Sequence, residues 1–312
     1  MLRRNFLAQL AAGAASARLC TDAFAYTRKK RLRPSPPPKL DRVAISSWSF
    51  HNYFRGTRDS DCILSGPMLA LLDLPEMVAD RYHVHHFEVC ATHFPSTEPA
   101  YLLELKYALV HTRSSIVNVP VDIEECGPQG TFSDPDREER VGALEAVKHW
   151  VDVAHMLGVR SVRVGPGKVD PADLAPSVES YKAVAAYALA RGVHVLVENH
   201  AGFGAEHPEE LVKLLKLVGP GRIGVLPDFA DFPDEPTREE GLKMFIPYAQ
   251  TVCHLNGLEF GADGAEWGYD FPHAMEIAKQ AGFRGVYSID FVGPDDPYVG
   301  IQKTLDELLK YL

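Results

Sequence analysis

The sequence holds no C-x-x-C pair. Its five cysteines, Cys20, Cys62, Cys90, Cys126 and Cys253, are scattered through 312 residues, which excludes a zinc knuckle or a paired-thiol redox motif. G-x-x-x-x-G-K-[ST] is also missing, and the one match to G-x-G-x-x-G, "GPGRIG" from Gly219, leads into the apolar run at Ile223 and does not follow one. Neither phosphate-cradling signature therefore stands in the context of a nucleotide-binding fold. Positive charge is in deficit: 32 Lys+Arg against 42 Asp+Glu leave a formal net charge of −10. Binding to nucleic acid needs a basic surface to displace counterions from phosphates, so no nucleic-acid partner is expected. No apolar run approaches the ~20 residues of a membrane-spanning helix, and no stable membrane anchor is expected.

What is present begins with an unusual N-terminus. "LRRNFLAQLAAGAASARLC" pairs Arg3 with Arg4 ahead of Phe6, Leu7 and an alanine-rich stretch, and Ala23-Phe24-Ala25 follows as an A-x-A site. The pattern resembles a twin-arginine export signal over residues 1–25, which predicts a periplasmic or secreted protein. A frayed amphipathic helix is the plainer alternative. Without those residues, which carry Arg3, Arg4, Arg18 and Asp22, the net charge moves from −10 to −12. "RKKRLRPSPPPK" then supplies a basic, proline-rich linker over residues 26–39 that cannot bury a core. Residues 40–312 remain as a single domain, a length that suits one (β/α)8 barrel.

Eight short apolar runs rich in β-branched and aromatic residues punctuate that domain. They are "VAISSWSF" from Val43, "HHFEVC" from His85, "SIVNVPV" from Ser115, "SVRVGPG" from Ser161, "VHVLVENH" from Val193, "IGVLPDF" from Ile223, "TVCHLNGLEF" from Thr251 and "GVYSIDF" from Gly285. Between them lie segments of helical period. "DPDREERVGALEAVKHWVDVAHMLG" offers Ser133 and Asp134 as a cap, Pro135 in the first turn and Gly158 as a stop. "HPEELVKLLKLVG" places Pro208 and acids first and lysines last, as the helix dipole prefers. Strand and helix in alternation predict a parallel sheet, and eight repeats predict its closure into a TIM barrel, with an open doubly wound sheet as the runner-up.

In such a barrel the C-terminal strand ends open on one face, where active sites sit. The runs end in a ring of polar residues: Glu88, Asn118, Arg163, Glu198 with His200, Asp228, His254 and Asp290. Glu198, Asp228, His254 and Asp290 come from four consecutive strands. Three carboxylates meeting without a counter-ion repel, and a divalent cation resolves the conflict. An oxygen-rich set with one imidazole suits Mn²⁺, Mg²⁺, Co²⁺ or Zn²⁺. Each residue also has a plainer reading as a solvated strand end, a loop cap or a hydrogen-bonded core histidine; the convergence of four favours the metal.

At these residues the chain, from about Val43 to its C-terminus, resembles the sugar phosphate isomerase/epimerase family, the xylose isomerase-like TIM barrels. The resemblance covers "DPDREERVGALEAVKHWVDVAHMLGVRSVRVGPG", "VENHAGFGAEHPEELVKLLKLVG", "LPDFADFP" and "DPYVGIQKTLDELLKYL". It implies one divalent metal held by Glu198, Asp228, His254 and Asp290, with the first and last also forming the acid/base pair beside a sugar carbonyl. Two departures stand out. Asp290 in "SIDFVG" occupies a position where many relatives carry glutamate, and Asn256 in "HLNG" one where they commonly carry lysine.

The expected activity is a metal-dependent sugar isomerisation or epimerisation by proton transfer next to a carbonyl. Glu198 is expected as base, Asp290 as partner acid and His200 as a donor to a substrate oxygen. Glu88, Arg163, Trp48 and Asn256 are candidate substrate contacts, with Phe50 a further aromatic near the first strand. Glu88 and Arg163 could instead brace the metal ligands, and ion pairing and core packing are the plainer roles. Export and the lack of a basic cluster predict a non-phosphorylated sugar, keto-sugar or cyclitol; "VGPGK" from Val164 is the nearest thing to an anion loop and reads more simply as a turn. Two alternatives stay open: a carbon–oxygen lyase of the inosose-dehydratase or keto-glycoside-cleaving kind on the same scaffold, and a non-catalytic sugar-binding barrel. The oligomeric state is not legible from the sequence.

Overall fold

A computed structural model describes residues 39–59, 66–123, 130–200, 203–257, 268–294 and 296–312. The proposed signal and nearly all of the linker lie outside these residues, as do Cys20, Cys62 and Cys126. All eight expected runs form strands: β1 Val43–Ser46, β2 His86–Glu88, β3 Ser115–Val121, β4 Ser161–Val164, β5 His194–Glu198, β6 Ile223–Leu226, β7 Val252–Leu255 and β8 Val286–Ile289. Each is followed by a helix: α1 Leu74–Tyr82, α2 Pro99–Thr112, α3 Arg137–Leu157, α4 Ala175–Leu189, α5 Pro208–Val218, α6 Glu235–Phe245, α7 Phe271–Gln280 and α8 Pro297–Leu308. Seven of the eight carry proline in their first turn. There its missing N–H costs nothing, so a proline-rich chain still builds helices.

The exception, α3, corrects the expected cap. Asp136, not Ser133 or Asp134, is its N-cap, and its carboxylate accepts from the Glu138 N–H. Asp134 instead accepts from the Asp136 N–H at 2.8 Å and shapes the approach. Gly158 ends the helix as expected, at φ 78°. In α5, Leu211, Leu214, Leu215 and Val218 are buried, the i, i+3, i+4, i+7 stripe of a helix lying on a sheet.

The strands pair in parallel in the order β6-β5-β4-β3-β2-β1-β8-β7, which settles the architecture as a barrel rather than a doubly wound sheet. Its last gap, between β6 and β7, carries no regular ladder. It is joined by a bridge between Asp228 and His254, with His254 N–H donating to the Pro227 carbonyl at 2.9 Å and Phe229 N–H donating to the His254 carbonyl at 3.2 Å.

Alternation along each strand divides its side chains between two environments. Val195, Val197, Val225, Cys253, Leu255 and Tyr287 join the large cluster packed by the helices. Leu196, Leu226 and Val252 form a separate cluster. They stand two residues before Glu198, Asp228 and His254, so they make an apolar floor directly beneath those three side chains.

Candidate active site

The barrel mouth is a cavity of about 570 Å³, lined by Trp48, Glu88, Arg163, Glu198, His200, Asp228, His254, Asn256 and Asp290; Asn118, from the ring of strand-end residues, lies buried behind it. Ligand atoms of Glu198, Asp228 and His254 all lie within 4.8 Å of one another, and all three residues are buried. His254 Nδ1 stands 2.6 Å from Glu198 Oε1 and 3.8 Å from Asp228 Oδ2. Asp290 belongs to the same cavity but not to that tight group. Its Oδ1 is buried and has no hydrogen-bond partner among the described residues.

Each member is braced from behind. His254 donates from Nε2 to Glu88 Oε1 at 2.6 Å, Asn118 donates to the other oxygen of Glu88 at 2.9 Å, and Ser161 donates to Asn118 at 2.8 Å. This chain fixes the imidazole so that Nδ1 faces the acids, the arrangement that orients metal-binding histidines. Asp228 is held through its backbone: Asn199 donates to its carbonyl at 2.9 Å and accepts from its N–H at 2.9 Å. Glu198 is ion-paired with Arg163 at 2.9 Å, and Arg163 also grips Asp122.

The electrostatics follow. Burial would raise the Glu198 carboxyl, but Arg163 and His254 outweigh it and hold it at about 2. Burial, reinforced by the Glu198 charge, pushes Asp228 up to about 7. Asp290 is raised for the same first reason, against the pull of His254 and with Glu88 adding to the rise. His254 loses stability as a cation by burial, yet Glu88 and Glu198 raise it well above the ordinary imidazole range. At the rim Asp231, 3.1 Å from His200 Nδ1, raises that histidine to about 9.

The donor set fits a divalent cation: carboxylates that repel one another, an imidazole whose far nitrogen is already tied, and an orphaned buried oxygen on Asp290. Trp48 is on the wall, but not on a strand: β1 ends at Ser46, and Ser47–Tyr53 turns into a 3-10 helix. That turn buries Phe50 completely, against Tyr298 at a centroid distance of 5.2 Å, so Phe50 is core and not a wall of the site. Asp122 and Asp231 carry no motif of their own in the sequence, and Asn199, in "VENH" between Glu198 and His200, stands out as polar without a spacing that reveals its role. Asp122 was within reach, since Asn118, Pro120 and Asp122 share one side of the third strand by alternation.

Residues 79–311 match the family described as the xylose isomerase-like TIM barrel, and the chain belongs to that family. No curated protein matches the sequence. Among solved structures it resembles D-psicose 3-epimerase from Clostridium cellulolyticum H10, in complex with D-tagatose, at 16% identity and a TM-score of 0.66 over 86% of this chain and 98% of that one. A xylose isomerase-like TIM barrel protein from Mycobacterium smegmatis in complex with magnesium is similar at 16% identity and a TM-score of 0.64, over 86% and 96% of the chains. The IOLI protein with a zinc atom gives 16% identity and a TM-score of 0.65 over 87% and 99%. At these identities the likeness is one of fold.

Proposed function

We propose that the protein is a divalent-metal-dependent isomerase or epimerase acting on a non-phosphorylated keto-sugar or cyclitol. The observation that carries this reading is the meeting of Glu198, Asp228 and His254 ligand atoms within 4.8 Å at the barrel mouth. Magnesium and zinc in the similar M. smegmatis and IOLI structures, and D-tagatose in the similar epimerase, point the same way. A bound divalent ion would supply Lewis-acid stabilisation of charge on a substrate oxygen. Glu198, Asp228 and His254 would hold it, with Asp290 as a fourth carboxylate.

Proton transfer is the work of the side chains. Pinned between Arg163 and His254, Glu198 is a better anchor than base. Asp290, which lines the cavity and has one oxygen without a hydrogen-bond partner among the described residues, is the stronger candidate to take a proton from a carbon beside the carbonyl. His200, charged through Asp231, is placed to donate to a substrate oxygen at the rim. The lining also argues for a neutral substrate. Glu88, Asp122, Glu198, Asp228, Asp231 and Asp290 all face the cavity, and the guanidinium that does so is held by two of them; a phosphate ester would meet repulsion.

The test separates anchor from base. Elemental analysis should find one divalent ion per chain in the wild type and none in Glu198→Gln. Asp290→Asn should retain the ion but lose about 10²–10⁴-fold in solvent-deuterium exchange into free ketoses. A metal-free wild type that still binds sugar would instead support the non-catalytic barrel, and release of a leaving group would support the lyase. We infer in addition that residues 1–25 direct export, which N-terminal sequencing of the mature protein would check.

A further inference from the structure

A second cavity of about 480 Å³ adjoins the first and shares Asp122, Arg163, Glu198 and His200 with it. Its outer wall is the loop after β4, from Gly165 to Pro171, faced by Phe203 and Glu210. The mouth alone, at about 570 Å³, falls within the roughly 300–1,000 Å³ that accommodates a drug-sized ligand, and a single sugar ring is smaller than that. The acid-and-guanidinium ridge common to both cavities lies where a link between two rings would cross.

The wall is built rather than loose. Ser133 donates its N–H to the Pro166 carbonyl and its hydroxyl to the Lys168 carbonyl, both at 2.9 Å. Gly167, at φ +80°, sits so close to Thr131 that an added Cβ would fall 2.2 Å from its hydroxyl oxygen. Gly165 is the opposite case. It follows Ser161 and Arg163 on the inward side of β4 by alternation, its φ is ordinary, and an added Cβ would meet nothing within 4 Å. Part of the space in this cavity therefore exists because Gly165 has no side chain. The lining suits a sugar: a cation in Lys168, carboxylates in Glu210 and Asp122 that accept from hydroxyls, and an apolar patch where Phe203, otherwise buried with the core, reaches the wall. One exposed lysine among acids is a poor phosphate site.

We propose that this cavity is a subsite for a second sugar ring, so that the substrate is a neutral disaccharide or glycoside whose keto-bearing ring enters the barrel mouth. This rests on the keto-sugar reading of the mouth. The test is titration calorimetry of the Mg²⁺-loaded protein with D-fructose, D-fructose 6-phosphate and three glucosyl-fructoses that keep a free keto group: turanose, maltulose and isomaltulose, linked through O3, O4 and O6. At least one disaccharide should bind about tenfold or more tightly than fructose, which is about 1.4 kcal/mol. Gly165→Leu should remove most of that advantage, with fructose as the reference. Lys168→Ala, at an exposed position with little bearing on folding, should reduce it several-fold. Disaccharides no tighter than fructose overturn the subsite and leave the keto-sugar reading standing. A preference for the 6-phosphate that Gly165→Leu abolishes overturns it in favour of an anion loop. If none of the five binds, the keto-sugar reading has failed and the subsite falls with it.

Discussion

Glu88 makes no entry in the expected ligand set, yet it decides what His254 can do. Of its two oxygens one accepts from His254 and the other from Asn118. In Glu88→Gln only one oxygen remains, and the amide N–H₂ must face either the Asn118 amide or the imidazole N–H. The histidine loses either its tautomer or its aim. Metal affinity should fall by about 10–100-fold, measured by competition with a chromophoric chelator, while helix content by circular dichroism stays the same. An unchanged affinity would mean that Glu88 serves only to fill the barrel interior. That Glu88 braces a metal-site residue is one of the two readings its strand-end position allows; that the residue is His254 was hidden, because a separation of 166 positions leaves no local spacing to recognise. The four strand-end residues Glu198, Asp228, His254 and Asp290 were legible for the opposite reason: apolar runs that stop at a charged side chain mark the mouth of a barrel wherever they occur.

Among the elements, strands were read with little error because each combines an apolar run with flanking turn residues, and both signals are local. The segment after β1 was misread as strand. Ser46 accepts from the Trp48 N–H at 3.1 Å, and that short-range bond starts a 3-10 turn in a stretch whose composition still looks extended. What holds this turn beside the site is His93. Thr57 uses its hydroxyl hydrogen on the His51 carbonyl, so His93 must donate to it from Nε2 and accept from Ser47 at Nδ1, at 2.9 and 2.8 Å. Burial, with His51 adding to it, lowers this imidazole to about 3, whereas in the unfolded chain it titrates near about 6.5. Above about pH 6.5 it is neutral in both states and costs nothing. Between that value and about 3 the unfolded chain binds a proton the folded one refuses, so stability falls as pH falls. His93→Gln should flatten this acid limb by up to about 1.4 kcal/mol per pH unit, read from urea midpoints at several pH values across the window. At neutral pH the variant should be less stable than wild type, since the paired ring is gone.

Asn199 tests the same scale on the other side of the mouth. It is fully buried, and its amide satisfies both the N–H and the carbonyl of Asp228. Asn199→Ala strips partners from buried backbone groups at about 1–3 kcal/mol each, so urea denaturation should show a loss of at least about 2 kcal/mol. A smaller loss would mean that the Asp228 loop repacks without its brace.

Over the whole molecule, the site and the closure of the barrel are one feature. The other neighbouring strands are joined by ladders, but among the described residues the hydrogen bonds between the β6 and β7 edges lie at residues 227–229 and 254, around Asp228 and His254. The barrel is thus closed by His254 and the two residues that flank Asp228, and a cation drawing Asp228 and His254 together would tighten the seam as well as the site. Ligand linkage alone contributes about 2.7 kcal/mol of overall stability at a hundredfold excess over Kd, and that stabilises all globally exchanging amides alike. Coupling to the seam predicts more. In hydrogen exchange the amides of His254 and Phe229 should gain protection on adding Mn²⁺ or Mg²⁺ beyond the gain in the β4–β5 ladder, at Val195 for instance, and lose it with a chelator. In Glu198→Gln neither should respond. Equal gains at seam and ladder would show that the cation stabilises the fold only as any ligand does. A selective gain would identify the metal as the element that closes the barrel, with loss of metal opening it at the mouth first.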